Sequence, residues 1–270
     1  MKRRTYLKGA AGSAATFTLA GCLGGGGGGS ETITIGSDIP YRPFEWETTD
    51  GELTGFDVDI AQAVFGDELG YEHEFQKTSF DGIIPSLNNG NFRVIMSAMT
   101  ITEERAEKID FSDPYFTAYQ TIIVLKNGDI SSKEDLKGKT VGVQKGTTGA
   151  GAADALKEEF GGDLTIQRYD QVNGAFDALI NNQVVAVVND NTVNAEFVNE
   201  REDDVKFLEG EGAASEAGKD APPYLTLTVE EYGIGFRKDD DDLREEVNGA
   251  LATIKDNGTY DEIYSKYFSG

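Results

Sequence analysis

The sequence predicts an α/β protein of two Rossmann-like lobes joined by a two-strand hinge, with a ligand cleft between them. Three observations carry that prediction. Segments of strand and helix period follow one another as β-α-β-α-β, the mark of a parallel sheet covered by helices. The same order then repeats: "SLNNGNFRVIMSA" (86–98) and "ALINNQVVAVVND" (178–190) both run from helix end through an Asn-rich turn into a buried strand with a polar exit. A long β-rich connector, "DPYFTAYQTIIVLKNG" (113–128), links the repeats, and "EEYGIGFRK" (230–238) supplies a second strand by which the chain returns.

Each element has its own justification. "TITIGS" (32–37) is a short β-branched strand. "GFDVDIAQAVFGDEL" (55–69) places Phe56, Ile60, Val64 and Phe65 at helical spacing, with Gly66 and Gly70 marking its end. "YEHEFQKT" (71–78) alternates as a strand, "FDGIIPSLNNG" (80–90) is a short helix, and "FRVIMSAM" (92–99) is a buried strand. "TEERAEKI" (102–109) is a helix introduced by the capping-box pattern Thr100-x-x-Glu103. In the second repeat, "KTVGVQKG", "LTIQRY" and "VVAVVND" are strands, separated by the helices "GAADALKEEFG", closed by Gly161 and Gly162, and "VNGAFDALINN". "NTVNAEFV" (191–198), "LREEVNGALATIKDNG" (243–258) and "TYDEIYSKYF" (259–268) are further helices.

The N-terminus lies outside this fold. "MKRRTYLKGAAGSAATFTLAGC" has a basic start, a mildly apolar run and small residues before Cys22, the layout of an export signal. "RRTYLK" resembles a twin-arginine motif and "LAGC" a lipobox, in which Cys22 becomes the lipidated first residue. "GGGGGGS" then forms a flexible tether, with a reach on the order of 15–20 Å from Cys22 to Glu31. The expected organisation is a signal over 1–21, anchor and tether over 22–31, lobe I from 32–118 plus 230–270, and lobe II over 119–229.

Composition bounds the function. Lys and Arg number 24 against 48 Asp and Glu, a formal charge of −24, so nucleic acid and anionic lipid surfaces are repelled. The acidity resembles that of proteins from salt-saturated cytoplasms. "KDDDD" (238–242) and "EREDD" (200–204) lack the spacing of a calcium loop and are solvated faces. His73 is the only histidine, placed on an exposed strand position, and Cys22 the only cysteine; no zinc or copper set can be assembled from them. "GTTGAG" lacks the lysine and spacing of a phosphate loop. No cofactor is implied.

Candidate site residues follow from strand ends, because open parallel sheets bind ligands beyond the carboxyl ends of their strands. Those ends carry Asp38 and Ala98–Thr100 in the first repeat, and Gln144–Thr148 and Asn189–Asp190 in the second, with Tyr41 and Phe80 close by. Arg105 falls in a first helical turn, where the macrodipole disfavours a cation. A nearby anion resolves the conflict, and a guanidinium matches a carboxylate bidentately. Asp190 from the other lobe suits an ammonium, so the pair describes an α-amino acid. The alternatives are a surface ion pair of Arg105 with Glu104 or Glu107, and a helix-capping role for Asp190.

"GFDVDIA", "FDGIIPSLNNGNF", "MTITEERAEKIDFSDPYF", "DLKGKTVGVQKGTT" and "GTYDEIYSKYF" together resemble, in several blocks and in order, the polar amino-acid-binding proteins of ABC importers, the family-three extracellular solute-binding proteins. The resemblance implies that Arg105 holds the ligand α-carboxylate, beside the Ala98 and Thr100 backbone, the Thr100 hydroxyl and Thr148. It implies Asp190 on the α-ammonium, Tyr41 and Phe80 packed on the side chain, and Asp38 facing its polar end, with Gln144 where members vary. Ala98 and Asn189 depart from the common pattern, and 210–231 is a longer loop than usual. A carboxylate at the ligand's tip repels an acidic side chain, so glutamine, arginine, lysine or histidine is expected over glutamate. The expected partner is a membrane permease, and the expected state a lipid-anchored monomer on the outer face of the cytoplasmic membrane. A ligand-sensing domain and a prephenate- or arogenate-dehydratase-like enzyme on the same scaffold are the alternatives; the enzyme would need a cleft acid, for which only Asp38 and Asp190 offer themselves.

Overall fold

The computed structural model describes residues 32–219 and 222–268. The signal, Cys22 and the tether lie outside the described residues. The chain forms two α/β lobes, each built on its own sheet. The first sheet has the strand order Glu72–Lys77, Thr32–Ser37, Val94–Ile95, Gly235–Phe236, Asp110–Phe111. Its first three strands are parallel and Gly235–Phe236 is antiparallel to both neighbours. The second sheet runs Val205–Phe207, Phe116–Leu125, Ala186–Asp190, Thr140–Gln144, Thr165–Tyr169. Its last three strands are parallel, and Phe116–Leu125 is antiparallel to its neighbours.

Two strands connect the lobes. Phe116–Leu125 carries the chain from the first sheet into the second, and Thr226–Tyr232 brings it back. They pair antiparallel, with Phe116 opposite Tyr232 and Gln120 opposite Thr228.

Burial follows the sequence pattern. Ile33, Ile35, Phe56, Ile60, Val64 and Val94 are fully enclosed in the first lobe, packed with Val247 and Leu251 of the Asp241–Asp256 helix. Val141, Val143, Ala153, Leu156 and Val188 make the corresponding core of the second. Each fully buried aliphatic or aromatic side chain contributes about 1.5–3 kcal/mol. The segment 55–69 departs from a plain α-helix: after Phe56–Ala61 it widens into a π-helix over Gln62–Glu68. The wider turn allows three consecutive residues, Ala63, Val64 and Phe65, to be buried together. The strand expected over 92–99 pairs only at Val94–Ile95, although its residues remain enclosed as far as Thr100. His73 is half-buried rather than exposed, tilted against the Phe65 ring 6.3 Å away, and desolvation lowers its pKa. Among the described residues no helix is long and apolar enough to cross a membrane.

Candidate ligand-binding cleft

The first-lobe wall is held in place from behind by buried carboxylates. Asp38 follows the Thr32–Ser37 strand, and its N–H donates to Ser97 Oγ at 2.9 Å. Ser97 in turn donates to Glu45 Oε1 at 2.8 Å. Ala98 adopts a left-handed conformation, φ 47°, which costs a residue with a Cβ about 1–2 kcal/mol. Its N–H donates to Asp57 Oδ2 at 2.8 Å, and Tyr115 donates to the other oxygen at 2.8 Å. Burial raises the Asp57 pKa to about 7 and pushes Glu45, also beside Asp57, well above the carboxylate range.

Arg105 lies on the short helix Glu103–Ala106. Its cap is Thr102, whose hydroxyl accepts the Arg105 N–H at 3.2 Å, so the cap lies two residues beyond Thr100, and the expected capping box with Glu103 is replaced by this single bond. The Thr100 hydroxyl is engaged elsewhere, donating to Glu230 at 2.7 Å. The Arg105 side chain is buried, with its guanidinium 5.2 Å from the centre of the Phe80 ring. Nη1 donates to the Thr100 carbonyl at 2.7 Å, and Nη2 reaches the Gly146 carbonyl of the other lobe at 3.1 Å. Neither expected surface partner, Glu104 or Glu107, holds it. Gly146 permits the approach: its φ is +73°, and a Cβ there would lie 2.9 Å from the Asp81 Cα. Burial lowers the Arg105 pKa, while Glu230 and Asp190 pull it back up.

The second lobe supplies three strand ends and a helix start. Thr147 caps the Thr148–Glu159 helix, accepting from the Ala150 N–H at 3.1 Å, which puts Thr148 at the cleft. Gln144 ends its strand and donates to Asp38. Gln171 donates to the other Asp38 oxygen. Asp190 stands at the N-cap position of Asn191–Glu200, yet its side chain makes no capping bond. Instead it accepts from Tyr41 Oη and Gln120 Nε2. Burial first, and then the neighbouring Glu230, raise the Asp190 pKa to about 7. Burial also raises Asp38.

Eight of the nine residues expected at the site line one cavity: Asp38, Tyr41, Phe80, Ala98, Thr100, Gln144, Thr148 and Asp190, together with Ser97 and Thr147. Its volume, about 10 Å³, is room for roughly one water, because side chains of the two lobes meet across it. Arg105 lies in the adjoining groove of about 700 Å³ with Gly146, and shares Phe80, Thr147 and Thr148 with the cavity. Sequence reasoning missed the buried Glu45 and Asp57 described above, and also Gln120 and Glu230. Gln120 donates to both Asp190 and Glu230. Glu230 accepts from Thr100, Thr148, Gln120 and Thr228. Both sit on the connecting strands, and the available signal was a polar residue inside an apolar strand, "AYQTIIV". Among the described residues no group of histidine, cysteine and carboxylate side chains is arranged to hold a metal. The arrangement is that of a buried polar cleft with an aromatic wall, anionic at Asp190 and cationic at Arg105.

Comparison with known proteins gives a consistent result. Residues 33–270 match the family described as bacterial extracellular solute-binding proteins, family 3. The chain is 32% identical over 259 residues to the arginine-binding extracellular protein ArtP of Bacillus subtilis, covering 94% of both chains. It is 33% identical over 247 residues to the histidine-binding periplasmic protein of Escherichia coli K12, covering 88% of each. Among solved structures, an ancestral arginine-binding protein bound to arginine superposes with a TM-score of 0.77 at 39% identity, covering 88% of this chain and 98% of that one.

Proposed function

Because this chain belongs to the family 3 bacterial extracellular solute-binding proteins, we propose that it is the capture component of an ABC importer for a polar amino acid, with a basic amino acid or glutamine as its ligand. One observation carries this reading: carboxylates and hydroxyls from two lobes converge on one buried cavity, with a desolvated arginine in the groove that adjoins it. Arg105 takes the ligand carboxylate, supported by the Thr100 and Thr148 hydroxyls and the Ala98 backbone. Asp190 takes the ammonium. Tyr41 and Phe80 flank the side chain, and Asp38, with Gln144 beside it, meets the side chain's polar tip. Each charge-assisted contact is worth about 1.5–3 kcal/mol, so a handful reach the −8 kcal/mol or so of micromolar affinity.

Binding proceeds without chemical change. Lobe I (32–118 plus 230–270) and lobe II (119–229) part about the connecting strands, admit the amino acid and close on it. Ligand shifts that equilibrium only by its preference for the closed form, which contacts from opposite lobes supply. The closed protein delivers its ligand to a membrane permease, while the lipidated Cys22 and the tether over 22–31 keep it at the membrane after twin-arginine export of the signal over 1–21. A thermal-shift screen of the twenty amino acids in high salt tests the reading, and arginine, lysine, histidine or glutamine raises the melting temperature most. Glutamate as the strongest stabiliser would overturn the role given to Asp38, and no response to any amino acid would overturn the function.

A further inference from the structure

Glu230 lies on the returning connecting strand and is buried, with 6% of its surface exposed. Its Oε2 accepts from the Thr100 hydroxyl of the first lobe at 2.7 Å and from the Thr148 hydroxyl of the second at 2.8 Å. Gln120 Nε2, on the other connecting strand, donates to the same oxygen at 3.2 Å, and Thr228 donates to Oε1 at 2.9 Å. Among the charges around Arg105, Glu230 is the strongest influence. A carboxylate therefore rests on two of the hydroxyls that the proposed function assigns to the carboxylate of an amino acid, and acts electrostatically on the guanidinium assigned to it.

A threonine hydroxyl has a single proton to donate. While Thr100 and Thr148 give theirs to Glu230, neither has one to give to a ligand. Two carboxylates on the same donors also repel each other in a buried setting. We infer that Glu230 is an internal competitor for the carboxylate subsite: it bridges the lobes through Thr100 and Thr148, and an amino acid binds by displacing it. This inference rests on the reading of the cleft given above. Displacement has somewhere to go, since Glu230, with Thr100 and Thr148, also borders an open groove lined by Thr102, Thr228 and Lys219. There a released carboxylate meets water and a lysine. The competition makes Glu230 a determinant of affinity, and makes the free carboxylate of the ligand the feature that selects it.

Calorimetric titration of the full-length protein and its Glu230→Gln variant with L-arginine and L-argininamide tests this. The amide keeps the ammonium and side chain of arginine and lacks the carboxylate. Replacing the charge-assisted contacts of Glu230 by neutral ones weakens the competitor. Glu230→Gln therefore raises the preference for L-arginine over L-argininamide, read as the ratio of their Kd values, by about tenfold. Glu230→Asp, whose carboxylate is drawn back by one methylene from both hydroxyls, moves the ratio the same way should the glutamine variant fold poorly. An unchanged or reduced ratio in a folded variant overturns the inference. Wild-type protein that binds neither compound overturns the assigned function instead, and ligand-free scattering then decides the lobe-bridging part: a larger radius of gyration in Glu230→Gln supports it, and an equal one refutes it.

Discussion

Asp190 sits within reach of Tyr41, Tyr232, Glu230 and Arg105, and its pKa of about 7 makes the cleft sensitive to pH. An ammonium beside it favours the ionised form, so below about pH 7 binding expels a proton from Asp190. Affinity for arginine then weakens as pH falls through that window, by up to about tenfold per unit, and levels off above it. Calorimetry at pH 5.5, 6.5, 7.5 and 8.5 reads this directly, and a flat Kd from 5.5 to 7.5 contradicts it. Arg105→Ala removes the cation facing a buried carboxylate, which costs about 1.5–3 kcal/mol, or roughly 10- to 200-fold in Kd. At this scale the sequence was legible wherever a residue lining the cavity ends or follows a strand, as Asp38, Thr148 and Asp190 do. It was opaque for Glu45, Asp57, Gln120 and Glu230. Their roles depend on partners about 40 to 130 residues away, such as Ala98 for Asp57 and Thr100 for Glu230, and a lone polar letter inside a strand does not reveal which face it occupies.

Local signals placed the elements but not always their ends. Thr100 and Thr102 both precede the Glu103–Ala106 helix, and the capping-box spacing favours Thr100, yet Thr102 takes the cap, while Thr100 sits in a β-bridge with Tyr232 and donates to Glu230. A tertiary contact overrode a local pattern. Thr102→Ala consequently lowers stability by about 1 kcal/mol, measured by urea denaturation, and loosens the turn that aims Arg105. No loss of stability would return the cap to Thr100. The π-helical turn over Gln62–Glu68 was likewise invisible, because the apolar spacing of Phe56, Ile60 and Val64 satisfies an ordinary helix. Its cause is packing: the adjacent Ala63, Val64 and Phe65 all face the core. Strands were easier, since β-branched runs such as "TITIGS" and "TVGVQ" allow no competing period.

For the molecule as a whole, the repeated β-α-β-α-β order was enough to give two lobes, and two β-rich segments between them were enough to give two connecting strands. What the repeat could not give was how closely the lobes meet. Tyr41 with Asp190, Gln144 with Asp38 and Arg105 with Gly146 join residues from opposite lobes, and nothing in either repeat alone encodes such pairs. These contacts bring Asp190 of one lobe and Arg105 of the other to neighbouring cavities, the placement that the proposed grip of a zwitterion at both poles requires. The most direct test compares L-arginine with agmatine, which lacks the carboxylate, and with 5-guanidinopentanoate, which lacks the ammonium, by calorimetry on the wild-type protein. L-arginine binds and each truncated compound loses at least about a hundredfold in affinity, because either loss leaves a buried charge unanswered. Agmatine or 5-guanidinopentanoate binding as tightly as L-arginine would contradict the two-pole grip.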